Sequence, residues 1–161
     1  MVILKKNLPQ TLFYFLIALL ICLGGGWLTG IVTQQGIKSW YPALIKPKGT
    51  PPNLTFPIVW SLLYCLMAWA LTLLWLSPKP KKRALFLFAI QLTLNFSWSL
   101  LFFYFQSPFV ALIDLSLLWF FIFLTFFALR RHSLLASYLF LPYFAWVSYA
   151  FYLNLFIWLK N

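Results

Sequence analysis

The sequence predicts an all-α integral membrane bundle of five transmembrane helices with a long first extramembrane loop. Three observations carry that prediction: 64% of the 161 residues are apolar, only 8% are charged, and charge and proline divide the apolar stretches into five blocks. An ordinary soluble domain is ~45–50% apolar and is excluded. At ~20 apolar residues per crossing, the chain has material for about five spans.

The first block runs from Leu8 to Gly30. Lys5 and Lys6 ahead of it resemble the start of a signal peptide, but the run reaches Gly30 without an A-x-A-like cleavage site, so it is expected to stay as a span. Gly26 and Gly30 form a G-x-x-x-G pair suited to close packing, either within the bundle or between two copies. The second block is Asn53 to Leu76, the third Ala84 to Phe105, the fourth Phe109 to Leu129 and the fifth Leu134 to Leu159. Each block holds roughly 21 to 26 residues, enough to cross as a helix with some tilt. None alternates apolar and polar residues as a barrel strand would. Residues 1–161 therefore read as a single five-helix transmembrane domain.

The connections are unequal. Ile31 to Pro52 is about 22 residues long and carries Trp40, Tyr41, three lysines and four of the ten prolines, whereas Ser77 to Arg83, Gln106 to Pro108 and Arg130 to Ser133 are short. Short links make successive helices antiparallel neighbours. A long loop in so small a protein points to function. Lys5, Lys6, Lys79, Lys81, Lys82, Arg83, Arg130 and Arg131 fall on one side, and Lys38, Lys46, Lys48 and Lys160 on the other. The positive-inside rule then makes the N-terminus cytoplasmic, in a membrane expected to be the bacterial cell membrane. The basic clusters are expected to orient the protein and touch anionic membrane lipid. Nucleic acid is not an expected partner, because no folded soluble basic surface is available.

Polar residues inside the spans are few. Gln91, Asn95, Trp98, Phe102 and Phe105 recur at helical spacing on one face of the third span, as do Trp60, Tyr64, Met67 and Leu71 in the second. Trp146, Ala150 and Asn154, with Leu153 adjacent, do so in the fifth, and the fourth supplies Asp114 with Leu118 and Phe121. An amide or carboxyl facing lipid is costly, so Asn95, Asn154 and Asp114 are expected to face inward. Counted at ~1.5 Å per residue, this set lies within roughly 15 Å of the loop-side surface. The pattern implies an aromatic pocket with a few polar groups beneath the loop, the usual build of a small-molecule site. Asn95 and Asn154 read equally as hydrogen-bond links between helices, and Asp114 as a neutral hydrogen-bonding group or a ligand contact. Trp27, Trp75 and Trp158, near span ends, read as interfacial anchors. Trp69 and Trp119 take no assigned role.

Familiar catalytic chemistry is largely excluded. One histidine and one acid cannot assemble a His and carboxylate metal cluster or a carboxylate pair. His132, beside Arg130 and Arg131, reads as a membrane-edge histidine rather than a haem ligand. No metal site is expected. Cys22 and Cys65 lie inside apolar runs and behave as small hydrophobes.

The stretch Trp40, Tyr41, Pro42, Ala43, Leu44, Ile45, Lys46, Pro47, then Pro51, Pro52, Phe56, Val59, Trp60, Leu63 and Tyr64, resembles the signature of the TspO/MBR family. Gln91, Asn95, Trp98 and Ser99, and Leu141, Pro142, Tyr143, Trp146, Ala150, Leu153 and Asn154, extend the likeness over nearly the whole chain. That family comprises the tryptophan-rich sensory proteins and the mitochondrial translocator protein, or peripheral benzodiazepine receptor. The resemblance implies a five-helix bundle, often a homodimer, that binds porphyrins such as protoporphyrin IX, haem-related tetrapyrroles and other flat apolar ligands. It places ligand contacts on Trp40, Tyr41, Trp60, Tyr64, Asn95, Trp98, Ala150 and Leu153, with Asp114 and Trp146 completing the expected set. Porphyrin is thus expected as ligand, and no cofactor is required. The resemblance also implies two alternatives: light-dependent porphyrin degradation with Trp60 and Trp146 as catalytic residues, and tetrapyrrole transport. The cholesterol pattern L/V-x-Y-x-K/R is not met near Lys160, because Tyr152 is too far from it.

Overall fold

The computed structural model describes residues 8–161, so Lys5 and Lys6 lie outside the described residues. Every regular element among them is helical. Five helices are long and apolar enough to cross a membrane: α1 (Leu8–Ser39), α2 (Thr55–Leu76), α3 (Lys82–Tyr104), α4 (Pro108–Arg130) and α5 (Leu134–Lys160). Leu63, Met67, Leu74, Leu115, Leu118, Ile122, Phe140 and Tyr143 are fully buried between them. The chain is an integral, multi-pass membrane protein.

The first helix outruns its apolar block by nine residues. The sequence expectation ends it at Gly30, whereas the helix continues to Ser39. Polar side chains there turn back onto the helix: the Thr33 hydroxyl donates to Thr29 O at 2.8 Å and the Ser39 hydroxyl to Gln35 O at 2.8 Å. The Trp40 N–H closes the last turn on Gly36 O, and Pro42, which has no N–H, follows within the short 3-10 turn Tyr41–Ala43. The extramembrane loop is shorter than the sequence suggests by the same nine residues.

A π-helical turn, Leu20–Gly24, divides α1 into two parts with different neighbours. Before it, α1 packs on α2 through Phe15 against Trp69 and Tyr14 against Trp75, with ring centroids 5.2 and 5.8 Å apart. After it, α1 leans onto α3. A Cβ at Gly25 would overlap the Phe96 ring, and one at Gly36 would overlap the Phe103 carbonyl. A Cβ at Gly26 would overlap the Tyr64 ring, whereas one at Gly30 would meet nothing within 4 Å. The Gly26 and Gly30 pair is therefore not a packing unit in the bundle; the packing glycines are Gly25, Gly26 and Gly36.

The third helix also ends in a π turn, Leu100–Tyr104, closed by the Phe105 N–H on Leu100 O at 2.9 Å. The extra residue shifts the helical phase. Gln91, Asn95, Trp98 and Phe102 are buried, but Phe105 is 63% exposed, which corrects its expected place on the inner face. Gln106 then takes a positive φ of 51° in the tight link to Pro108. In α5 the helical bonding breaks between Tyr138 and Leu141, because Pro142 cannot donate to the turn before it.

Two ends are distinguishable. At one, the Ser77 hydroxyl meets His132 Nδ1 at 2.9 Å and Lys79 Nζ donates to Arg131 O at 2.6 Å, so both described basic links share a surface. Burial, with Lys79 and Lys81 nearby, holds the His132 imidazole below its ordinary pKa, so it is neutral at pH 7. At the other end, Asn161 pairs with Ile45 and the Tyr149 hydroxyl donates to Gly49 O at 3.1 Å. The loop and the C-terminus therefore meet there.

Gly36→Val is expected to lower stability by about 2 kcal/mol, because the obstructing atom is backbone and cannot turn aside. Gly30→Ala, facing open space, should leave stability unchanged or slightly higher. Denaturant titration in micelles distinguishes the two.

Candidate functional site

The lean of α1 toward α3 above its π turn leaves a gap between α1 and α2 that continues down past the turn to Leu16 and Leu19. That gap is a cavity of about 980 Å³, within the size range of small-molecule sites. Its rim residues Leu20, Trp27, Ile31 and Lys38 are exposed, so it opens sideways between α1 and α2 as well as toward the loop.

The inner wall is aromatic. Trp60 stacks on Tyr64 with centroids 5.7 Å apart and lies 6.3 Å from Trp98, and Phe56, Tyr41 and Phe103 continue the surface toward the loop. The opposite wall is made by α1, where Gly26, Thr29, Gly30 and Thr33 form a small stripe flanked by Leu19, Leu23, Trp27, Ile31 and Ile37. Gln34, Lys38 and Asn53 provide polar groups at the loop end. Lys38 Nζ makes no hydrogen bond or ion pair with any described residue. The site is thus a slot: flat and apolar within, polar and cationic at its mouth.

Buried hydrogen bonds fix the aromatic wall. The Tyr64 hydroxyl donates to Asn95 Oδ1 at 2.7 Å, and Asn95 Nδ2 donates to the Tyr143 hydroxyl at 3.0 Å. One amide therefore ties α2, α3 and α5 together at the cavity floor. The Trp98 indole N–H donates to Asn154 Oδ1 at 3.1 Å, and Asn154 Nδ2 donates to Pro108 O at 2.8 Å. Both asparagines are committed within the bundle, which favours the helix-linking role that the sequence left open beside ligand contact.

The loop covering the cavity is held by Lys46. Its ammonium donates to Tyr41 O, Pro42 O and Leu44 O at 2.8, 3.1 and 3.1 Å and lies 4.8 Å over the Tyr41 ring. All three ammonium donors are used. Gly49, at φ 92°, supplies the positive φ of a turn closed by the Thr50 N–H on Pro47 O. Burial, with Tyr149 nearby, raises the Tyr41 phenol above its ordinary pKa, so it stays neutral.

Of the residues selected from sequence, Tyr41, Trp60, Tyr64, Asn95 and Trp98 line the cavity, and Trp40, Asp114, Trp146, Ala150 and Leu153 do not. Trp40 turns edge-on to Phe102 at 5.4 Å. Asp114 Oδ1 accepts from the Ser97 hydroxyl at 2.7 Å between α3 and α4, while Oδ2 is buried without a partner. Trp146 packs edge-on to Phe56 at 6.0 Å, with its indole N–H buried and unpartnered. Ala150 and Leu153 are buried on α5. Trp69 and Trp119 acquire roles: Trp69 packs on α1, and Trp119 donates to the Ser148 hydroxyl at 2.9 Å, joining α4 to α5. Sequence reasoning missed the whole α1 wall. The signal for it is the spacing of Gly26, Thr29, Gly30 and Thr33, which recur on one helical face.

Comparison with known proteins gives a consistent result. The TspO/MBR family model matches residues 18–159. The chain is 42% identical over 145 residues to the tryptophan-rich protein TspO of Chlorobaculum tepidum, covering 88% of this chain and 91% of that protein. It is 34% identical over 143 residues to the translocator protein of Sus scrofa, covering 86% and 84%. It is 35% identical over 134 residues to the translocator protein of Homo sapiens, covering 81% and 79%.

Asn95→Leu leaves the Tyr64 and Tyr143 hydroxyls buried without their shared partner and should cost about 2 kcal/mol or more. Replacing both tyrosines by Phe in the Asn95→Leu background should recover part of that loss, as thermal unfolding in detergent would show.

Proposed function

The chain belongs to the TspO/MBR family of membrane proteins, and on that premise we propose that it binds porphyrins such as protoporphyrin IX, or related flat tetrapyrroles, in the slot between α1 and α2. The observation that carries this reading is the slot's build: an aromatic wall of Trp60, Tyr64 and Trp98 faces a glycine and threonine stripe of α1 flanked by larger apolar side chains, with free Lys38 at the mouth. A flat ring would stack along Trp60, because offset aromatic contact adds ~0.5–1.5 kcal/mol beyond area burial. The small residues of α1 leave room for the ring's other face. Carboxylates on the ring edge would meet Lys38 and Gln34 where water reaches them.

Asn95 and Trp98 act as positioning groups in this reading, since their polar atoms already serve the protein. Binding is favoured over photo-oxidative turnover by Trp60 and Trp146. Only Trp60 is on the cavity wall, while Trp146 packs against Phe56 and does not line the cavity. As part of the same proposal, the basic end with the N-terminus is cytoplasmic, and the slot opens near the outer face of a bacterial cell membrane.

Protoporphyrin IX titrated into the detergent-solubilised protein should quench tryptophan fluorescence saturably. Trp60→Ala is expected to weaken binding roughly tenfold, and unchanged affinity would overturn the site. Lys38→Ala should weaken binding of the diacid but leave the dimethyl ester of protoporphyrin unaffected.

A further inference from the structure

A second cleft lies at the opposite, basic end of the molecule. It is a cavity of about 150 Å³ between the start of α3 and the end of α4. Arg83, Arg131 and His132 form its polar side, and Leu87, Leu124 and Phe127 its apolar side. Nothing in the porphyrin reading uses these residues.

The neighbouring lysines are already committed. Lys79 Nζ donates to Arg131 O, and Lys81 Nζ donates to Trp75 O and Ser77 O, which fastens the α2–α3 link to the helix ends. The guanidiniums of Arg83 and Arg131 have no hydrogen bond or ion pair to any described residue. The chain's one acid, Asp114, cannot neutralise them, since it is bonded to Ser97 toward the loop end of α4. His132 is held through Nδ1 by the Ser77 hydroxyl.

Two free guanidiniums at the edge of the hydrocarbon, directly beside an apolar groove, combine two kinds of recognition. Planar guanidinium forks match the oxygens of a phosphodiester. Phe127, exposed, and Leu124, half-buried, lie on α4 to the bilayer side of that point, where an acyl chain would lie, and Leu87 is buried on α3. The cleft has space for a headgroup phosphate, not for a whole lipid, so the chains must stay outside against the helices. A zwitterionic headgroup would bring its own cation beside two like charges, whereas an anionic headgroup would not.

We propose that this cleft is a binding site for an anionic phospholipid, with Arg83 and Arg131 holding the phosphate and the α3–α4 groove holding an acyl chain. The site is distinct from the slot between α1 and α2. It converts a diffuse basic surface into a defined lipid seat that holds α3 and α4 at the membrane edge.

Native mass spectrometry of the full chain in detergent, titrated with short-chain phosphatidylglycerol and phosphatidylcholine of equal chain length, tests this. Phosphatidylglycerol should bind roughly tenfold more tightly, and the pair Arg83→Gln with Arg131→Gln should remove most of that preference. The pair Lys82→Gln with Arg130→Gln, which removes the same charge outside the cleft, should change affinity less than twofold. Leu124→Trp, filling the apolar side, should weaken phosphatidylglycerol with both arginines intact. Equal losses in the two charge pairs would overturn the proposal in favour of diffuse attraction. Displacement of the lipid by millimolar inorganic phosphate would overturn it in favour of a simple anion site. The protoporphyrin affinity read from quenching should be the same in all these variants, so this site and the slot fail or succeed separately.

Discussion

The close approach of α1 to the backbone of α3 is the constraint on which the rest of the bundle depends. Gly36 sits where any side chain would overlap the Phe103 carbonyl, and Gly25 sits against the Phe96 ring. Below the π turn, α1 belongs to α2, through Phe15 and Trp69; above it, α1 belongs to α3. A helix that changes partner halfway leaves space beside the partner it abandons. That space is the slot, and it narrows at the level where Gly26 still touches Tyr64.

The two sides of the slot are built from different chemistry. The aromatic wall is locked because its polar atoms are spent internally: Tyr64, Asn95 and Tyr143 form one chain, and Trp98 and Asn154 another. Buried amides in a membrane bundle need partners, and satisfying them across three helices fixes the ring positions. The wall of α1 sets a stripe of Gly26, Thr29, Gly30 and Thr33 among larger apolar side chains, Leu19, Leu23, Trp27, Ile31 and Ile37. In the proposed porphyrin reading, recognition there would rest on shape and stacking, with charge confined to the mouth at Lys38. The loop obeys the same logic, since Lys46 spends its ammonium on three loop carbonyls and holds Tyr41 over the cavity.

Fold class was legible because five apolar blocks separated by charge and proline admit few other arrangements. The end of α1 was not legible, because Thr33, Gln34, Gln35, Gly36 and Lys38 read as loop in a hydropathy pattern while the helix continues past the apolar block. Phe105 was misplaced because a π turn inserts one residue into the helical phase with no distinctive sequence signal. The site shows a subtler limit. Helical phase correctly turned Trp146, Ala150, Leu153 and Asp114 away from lipid, as their burial or half-burial shows, but phase cannot say which interhelical space an inward residue enters. Tyr41, Trp60, Tyr64, Asn95 and Trp98 face the slot; the other four lie outside its lining.

A structure of the protein with protoporphyrin IX bound tests the central claim most directly. The ring should lie between α1 and α2, within stacking distance of Trp60 and against Gly30 and Thr33, with its carboxylates toward Lys38. A ring seated instead beyond Phe56, against Trp146 and Ala150, would contradict it.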